Sequence, residues 1–268
     1  MTDLKLDHVD AGREFDWGRT SEDYDRHRPG PPDSFYRRLN AMDIGVPGQR
    51  ILDIGTGTGL LARRFAKDGA EVSGTDIAEG QVQMARAAAE REGLDINFHV
   101  APSHELPFAD DTFDVITANQ CWIYFDAVAT MAEARRLLRG DGVLVISHFS
   151  FLPRKDPIVA ASEALVLEHN PDWNGADWHG RVPVEPKWAR PLADLVGFFV
   201  YEEQIPFTRE SWRGRMRALR GIGAALSQPE IDAFDEAHDA LLKEIAGETF
   251  DILHGIDAHI YRPKADPD

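Results

Sequence analysis

The chain has 268 residues, of which 43% are hydrophobic and 28% are charged, a composition typical of a globular protein with a sizeable core. Its formal net charge of −17 repels phosphate backbones and anionic lipid, so neither nucleic acid nor a membrane is an expected partner. Cys121 is the only cysteine, which excludes an internal disulfide. We predict a cytoplasmic protein, and the sequence leaves a monomer and a homodimer equally open.

From residue 31 onward the sequence predicts helices that alternate with short strands. Pro31 and Pro32 suit the first turn of a helix that runs to about Ala41. The predicted elements that follow are, in order, the strand RILDI, the helix LLARRFAKDG, the strand EVSGTD, the helix AEGQVQMARAAAEREG, the strands INFHVA and FDVITAN, the helix DAVATMAEARRLLRG ending at Gly140, and the strand GVLVISHF. Such alternation specifies a parallel sheet covered on both faces. We therefore predict an α/β, doubly wound, Rossmann-like fold up to residue 150.

Beyond residue 150 the regular alternation stops. The predicted elements are the helix PIVAASEALVLEHN, a turn-rich stretch with tryptophans, the helix KWARPLADLVG, the strand FFVYEEQIPF, the helices TRESWRGRMRALRG and QPEIDAFDEAHDALLKEIAG, and the strand TFDILHGIDAHIYRP. An insertion at this point can form a lid over a site. We predict a single domain, with covering helices in residues 1–45, a cofactor-binding core in 46–150, a lid or substrate insertion in 151–186 and the C-terminal half of the sheet in 187–268.

The stretch ILDIGTGTG, residues 51–59, places glycine at every second position after Asp53. Glycine permits positive φ and a close approach of a ligand to the backbone, and the helix that follows offers unpaired N–H groups. Read as GTGLLA, the stretch fits the dinucleotide pattern G-x-G-x-x-A, with an acid, Asp76, on the second strand. An NAD(P)-binding oxidoreductase therefore stands as one interpretation of the turn.

Read as D-x-G-x-G-x-G, from Asp53 to Gly59, the same stretch resembles motif I of the class I S-adenosylmethionine-dependent methyltransferases. HELPFADDTFDVITANQ and RRLLRGDGVLVIS resemble later segments of that family, and PFTRESWRGRMRALRGIGAALS resembles a bacterial subgroup of its small-molecule branch, which includes the ubiquinone- and menaquinone-biosynthesis methyltransferases. The resemblance implies a seven-stranded sheet whose last strand is antiparallel and lies between the fifth and sixth strands. It also implies S-adenosylmethionine as cofactor, no metal and a small-molecule acceptor.

The resemblance further implies which residues bind the cofactor. Asp76 corresponds to the acid that bonds both ribose hydroxyls, and a carboxylate suits a diol because it accepts two hydrogen bonds. Pro102 stands where the family often has an acid that bonds adenine, so we expect the backbone of Ser103 or His104 to make that contact. The predicted cofactor-binding residues are Tyr24, Arg28, Asp53, Gly55, Thr56, Gly57, Gly59, Asp76, Ile77, Ser103, His104, Asn119 and Gln120.

Two of these assignments concern the methionine end of the cofactor. Tyr24 and Arg28 resemble a pair on the family's covering helix that approaches the carboxylate of the donor. Their spacing of four residues puts them on one helix face, and a solvated surface pair is the alternative. The backbone carbonyl near Asn119, after the fourth strand, corresponds to the partner of the donor's amino group.

The acceptor side of the site is predicted from histidine and tryptophan. His148 ends the fifth strand, where it could act as a general base; a hydrogen-bonded structural histidine is the alternative. Trp122 could contact the cofactor or the substrate, or fill the core. Trp173, Trp178 and Trp188, in or just beyond the lid, are expected to contact the substrate and define it. We predict methyl transfer by in-line displacement, and the sequence leaves the acceptor and the methylated atom open. A non-catalytic protein that binds S-adenosylmethionine is a third possibility.

An arginine-rich segment stands out in this acidic chain. It contains Arg209, Arg213, Arg215, Arg217 and Arg220. These side chains could attract an anionic substrate or could form ion pairs with the surplus acids, as charged helix faces usually do.

Overall fold

A computed structural model describes residues 10–12 and 26–265, and Tyr24 lies outside them. The chain divides into two compact units. Unit 1 comprises Met1–Pro29, Ser150–Arg181 and Glu202–Gly255, and unit 2 comprises Gly30–Phe149, Val182–Tyr201 and Ile256–Asp268. No helix within the described residues is long and apolar enough to cross a membrane.

The described residues form one sheet with the strand order β3-β2-β1-β4-β5-β7-β6. Its strands are β1 (Arg50–Ile54), β2 (Glu71–Asp76), β3 (Ile96–Val100), β4 (Phe113–Asn119), β5 (Leu138–Phe151), β6 (Ala193–Thr208) and β7 (Thr249–Pro263). The first five strands pair in parallel, and the last strand is antiparallel. The α/β doubly wound fold is thereby confirmed, as is the position of the last strand between the fifth and the sixth.

The helices are α1 (Asp33–Asn40), α2 (Leu60–Lys67), α3 (Glu79–Arg91), α4 (Ala127–Leu137), α5 (Pro157–His169), α6 (Arg209–Arg217) and α7 (Gln228–Ile245). Two of them begin directly after an aspartate. The carboxylates of Asp126 and Asp156 accept hydrogen bonds from backbone N–H groups in the first turns of α4 and α5. These bonds satisfy donors that a helix start leaves unpaired.

The centre of the sheet in unit 2 is buried. Ile51 and Leu52 of β1 and Ile116 of β4 have no exposed surface, because a parallel sheet in a doubly wound fold is covered on both faces. The parallel pairing also has a consequence for function. It brings the carboxyl ends of β1, β2, β4 and β5 to one edge, where ligands of open α/β sheets bind.

Two predicted element boundaries are wrong. The segment KWARPLADLVG is not a helix: turns precede β6, which begins at Ala193. Pro191 lies within that segment and has no N–H to donate to a helix, and the residues after it are compatible with a strand. The helix predicted to end at Gly140 ends at Leu137, and β5 begins at Leu138, which pairs with Phe113 across a register shift.

The arginine-rich segment of unit 1 forms ion pairs with acids of α7. Arg213 donates hydrogen bonds to Asp235 and, at 2.8 Å, to Asp239. Arg217 donates to Asp235 at 2.6 Å. For Arg213 and Arg217 the ion-pairing alternative is confirmed. These pairs connect the basic helix α6 to the acidic helix α7.

Candidate functional site

The glycine turn after β1 requires glycine at its three alternate positions. Gly55, Gly57 and Gly59 have φ angles of +62°, +57° and +79°, which side chains with a Cβ rarely adopt. A Cβ on Gly55 would also lie 2.7 Å from the Sγ of Cys121, and one on Gly59 would lie 3.1 Å from Phe98. Backbone conformation therefore explains all three glycines, and lack of space is a second reason at Gly55 and Gly59.

Asp53 ties this turn to the sheet. Its buried carboxylate accepts hydrogen bonds of 2.6 Å from the hydroxyls of Thr56, in the turn, and Thr117, on β4. Burial raises the pKa of Asp53 to about 6, against the effect of these two hydrogen bonds, and the charge of nearby Asp76 raises it further. Asp53 and Thr56 thus shape the turn. None of the main interactions of the Asp53 carboxylate is with a positively charged group.

Asp76 lies half-buried at the end of β2. Its Oδ2 accepts a 2.9 Å hydrogen bond from the N–H of Gly57, and its Oδ1 accepts one of the same length from the N–H of Ala78. Burial raises the pKa of Asp76, whereas these backbone hydrogen bonds oppose the rise. Each carboxylate oxygen has two lone pairs, so each keeps capacity for one more donor. The carboxylate is therefore suited to the two hydroxyls of a ribose.

The surroundings of Asp76 also suit an adenosyl group. Ile77 follows it directly and is 43% exposed, which presents an apolar side chain where the resemblance expects adenine. Ser103 is buried, and its hydroxyl shares a 2.8 Å hydrogen bond with the hydroxyl of Thr130, while His104 is exposed. The hydroxyl of Ser103 is thus engaged with Thr130, and an adenine contact by the backbone of Ser103 or His104 stays a prediction.

The end of β4 is tied to β5 by two amide side chains. The amide of Asn119 donates to the hydroxyl of Ser147 at 2.8 Å, and that of Gln120 donates to the carbonyl of Phe149. The N–H of Gln120 also donates to the Ser147 carbonyl at 3.0 Å, and Gln120 has a φ of +64°. A non-glycine residue in this conformation is held there by its surroundings, and such strain concentrates at functional sites.

Trp122 is buried in the core of unit 2. It is 6% exposed and stacks on Trp188, with ring centroids 5.1 Å apart. Such burial favours the core-filling alternative over contact with a substrate. Trp188, which the sequence predicted as a substrate contact, lies in the segment wrongly predicted as a helix, and its ring packs on Trp122.

His148 lies one residue beyond Ser147 on β5. Its Nδ1 is 3.0 Å from the Oδ2 of Asp257 on β7, and the side chains of the two residues are 31% and 0% exposed. Burial raises the pKa of Asp257, but interactions with His148 and His259 outweigh it, and the net pKa is lowered. Sequence reasoning missed Asp257; the signal was the alternation of Asp257, His259 and Tyr261, which places three polar groups on one face of a buried strand.

The other predicted site residues belong to unit 1. Arg28 is half-buried, Trp173 is buried next to Gly221, and Trp178 is half-buried next to Gly255. The structure thus gathers the predicted residues of the glycine turn and of the ends of β2, β4 and β5 within unit 2. In the part of the chain that the structure describes, no three His, Cys, Asp or Glu side chains form a group suited to a metal ion.

Comparisons with known proteins bear on the same region. Residues 52–146 match the family model described as "Methyltransferase domain". The ubiquinone biosynthesis O-methyltransferase of Dinoroseobacter shibae is 34% identical over 65% of this chain and 64% of its own length. The demethylmenaquinone methyltransferase of Beutenbergia cavernae is 35% identical over 45% of this chain and 50% of its own length.

Among solved structures, a putative type II methyltransferase from Anaeromyxobacter dehalogenans has the same fold. It matches with a TM-score of 0.56 at 20% identity, over 87% of this chain and 96% of that one. The chain spans less than two thirds of the length of the two curated relatives. The family match covers residues 52–146, and for this part of the chain the resemblance to methyltransferases is confirmed.

Proposed function

We propose that this protein transfers the methyl group of S-adenosylmethionine to a small-molecule acceptor by in-line displacement, with S-adenosylhomocysteine as product. The observation that carries the proposal is the pairing of the glycine turn with Asp76. The turn directs the N–H of Gly57 to this carboxylate, which retains the acceptor capacity for a ribose diol. The methyltransferase domain in residues 52–146 supports the same function.

The electrostatics of the turn favour this cofactor over a dinucleotide. A dinucleotide fold uses the N–H groups of the glycine turn to bind a pyrophosphate, but here the N–H of Gly57 is directed to Asp76. A pyrophosphate would also face the carboxylates of both Asp53 and Asp76, which are close enough for one charge to raise the pKa of the other. S-adenosylmethionine carries positive sulfonium and ammonium groups, which these carboxylates attract.

The roles of the chain's residues follow from their positions in unit 2. Asp76 would hold the ribose, Ile77 would contact the adenine, and the backbone at Asn119 would bind the amino group of the methionine part. When bound, S-adenosylmethionine supplies an activated methyl group, so the protein's main tasks are to align the acceptor and to exclude water. The assignment of Tyr24 and Arg28 to the donor's carboxylate stays a prediction.

The acceptor itself is proposed only by class. The names of the two relatives point to quinone precursors, which are aromatic. An aromatic or apolar acceptor also agrees with the tryptophans of the segment 151–186, and their contact with it stays a prediction. Cytoplasmic location, likewise, stays a prediction.

Calorimetry with S-adenosylhomocysteine tests the proposal. We expect the protein to bind this product and not NAD(H), and Asp76→Ala to weaken the affinity by more than tenfold, or ~1.4 kcal/mol, since it removes the acceptor for both ribose hydroxyls. Asp95→Ala is the matched control, because Asp95 is exposed just before β3, away from the turn. Binding of NAD(H) without S-adenosylhomocysteine would overturn the function, and an unchanged affinity of Asp76→Ala would overturn the ribose assignment.

A further inference from the structure

We propose that Asp257 is a positioning residue that fixes the imidazole of His148 in the tautomer with a proton on Nδ1. His148 then presents Nε2 as the proton acceptor for a hydroxyl group on the methyl acceptor. The inference rests on the proposed function, since it identifies the class of acceptor. It predicts O-methylation of an alcohol or phenol.

The geometry of the pair supports one tautomer. The Nδ1 of His148 lies 3.0 Å from the Oδ2 of Asp257, and a carboxylate can only accept a hydrogen bond. Nδ1 must therefore carry the proton in the neutral imidazole, which leaves the lone pair on Nε2. Because the Asp257 side chain is fully buried and the His148 side chain is 31% exposed, the ring edge away from Asp257 is the accessible one.

The neighbouring histidine does not compete for this role. The Nε2 of His259 lies 2.9 Å from the carbonyl of Pro183, which can only accept, so neutral His259 carries its proton on Nε2. Its Nδ1 is then a lone pair, 3.5 Å from the same Oδ2 of Asp257. When both imidazoles are neutral, His148 is thus the one that donates to Asp257.

Asp257 depends strongly on this hydrogen bond. Its Oδ1 is buried and has no hydrogen-bond partner among the described residues, and a buried carboxylate without enough donors is costly. The Nδ1–H of His148 is therefore the main stabilising contact for the charge. The same charge stabilises the imidazolium that forms when Nε2 takes up a proton.

The position of His148 agrees with a role at the transferred methyl group. Ser147, its neighbour, pairs with Asn119 in the β4–β5 register and accepts the N–H of Gln120. β4 separates β5 from β1, and adjacent strands lie ~4.8 Å apart. His148 is thus about 10 Å across the sheet from the strand that leads into the glycine turn, a distance that S-adenosylmethionine can span.

A general base is needed when the acceptor is a hydroxyl, which is a poor nucleophile until its proton leaves. In the proposed step the acceptor oxygen forms a bond to the methyl carbon with its own electron pair. The carbon–sulfur bond breaks with its electrons going to sulfur, and the hydroxyl proton moves to Nε2 of His148. A thiolate or a tertiary amine would need no such base. The His148–Asp257 pair therefore favours a hydroxyl group as the methyl acceptor.

Nitrogen NMR of the ligand-free protein tests the positioning role. With the His148 signals assigned by their loss in His148→Gln, we expect wild-type Nδ1 to be protonated. Asp257→Asn should shift the population to the Nε2–H tautomer, because the asparagine amide can donate to Nδ1. Asp126→Asn is the matched control: this carboxylate caps α4, and its loss should leave the tautomer unchanged. An Nε2–H tautomer in the wild type, or no shift in Asp257→Asn, would overturn the inference.

Transfer of a labelled methyl group tests the acceptor class. The probes are catechol and 2-naphthol as hydroxyl acceptors, and thiophenol and dimethylaniline as acceptors that need no base. We expect transfer to a hydroxyl probe, and a decrease of ~10²-fold or more in Asp257→Asn, with the affinity for S-adenosylhomocysteine unchanged. Transfer to the base-independent probes alone, or to none, contradicts a hydroxyl acceptor. A wild-type protein that does not bind S-adenosylhomocysteine instead contradicts the proposed function. The failure of the acceptor class and the failure of the proposed function are therefore distinguishable.

Discussion

The strand-end acids of unit 2 and the arginine-paired acids of unit 1 are held in different ways. At the strand ends of unit 2, Asp53 and Asp76 receive hydrogen bonds from neutral donors, and burial raises the pKa of both. In unit 1, Asp235 is paired with Arg213 and Arg217, and these interactions lower its pKa although burial opposes them. Glu163 of unit 1 is the exception, since burial raises its pKa to about 7.

The difference separates acids that stabilise the fold from acids that can interact with a ligand. Paired charges neutralise one another and stabilise packing, whereas carboxylates held by neutral donors keep their negative charge available to a ligand. Perturbed acids at strand ends are candidates for function, and those of unit 2 suit a cationic cofactor. The ion-paired Asp235, Arg213 and Arg217 of unit 1 instead connect α6 to α7. Three predictions test this comparison, from the largest expected effect to the smallest.

The strongest test breaks a buried ion pair of unit 1. Arg220 donates to both oxygens of Asp10 at 2.6 and 2.9 Å, and both residues are buried. Arg220→Met leaves the Asp10 carboxylate with the N–H of Asn174 but without its countercharge, and should lower the free energy of unfolding by ~3–5 kcal/mol. Urea unfolding measures the change.

Arg154→Met is the matched control for this experiment. Arg154 pairs with Asp177, but both side chains are more than half exposed, so solvent screens their interaction. We expect no measurable shift of its urea midpoint. An equal loss of stability in the two variants would show that burial does not decide the value of these pairs.

The second prediction concerns the pH dependence that Asp53 introduces. Its pKa in the folded protein is about 6, above its ordinary value of 3.8, so folding favours the protonated form. The stability this provides is fully present below pH 3.8 and is lost as the pH rises through 6. Relative to Asp53→Asn, the wild type should therefore lose roughly 2.4 kcal/mol of unfolding free energy between pH 4 and pH 7.

Asp235→Asn supplies the comparison from unit 1. The pKa of Asp235 is below its ordinary value of 3.8, so its contribution is present above that pH and is lost only as the pH falls further. Urea unfolding from pH 4 to pH 7 should then show a nearly constant difference between wild type and Asp235→Asn. A constant difference for Asp53→Asn as well would remove the distinction between the two kinds of acid.

The sequence predicts the glycine turn and the strands around it far better than it predicts contacts between residues distant in the chain. Asp53, the alternate glycines and Asp76 lie close together in sequence or follow a regular strand–helix alternation, so local patterns predict their placement. The His148–Asp257 pair joins residues 109 positions apart. No local rule predicts which residue of β7 lies beside His148 of β5. Within KWARPLADLVG, Pro191 is a local signal against a helix, because proline has no N–H to donate. The sequence also leaves open whether the arginines of α6 bind an anionic substrate or form ion pairs, because their acidic partners lie on another helix, α7.

The smallest effect separates two reasons for glycine in unit 2. Gly55 and Gly93 have nearly equal φ angles, +62° and +67°, but a Cβ on Gly55 would meet Cys121 at 2.7 Å whereas one on Gly93 would meet nothing within 4 Å. Both alanine variants pay the conformational penalty, so Gly55→Ala should cost ~1–2 kcal/mol more through crowding alone. Only Gly55→Ala should also weaken binding of S-adenosylhomocysteine, because it displaces the turn that holds Asp76. Equal unfolding free energies in the two variants would mean that conformation, and not the close approach of Cys121, explains the first glycine of the motif.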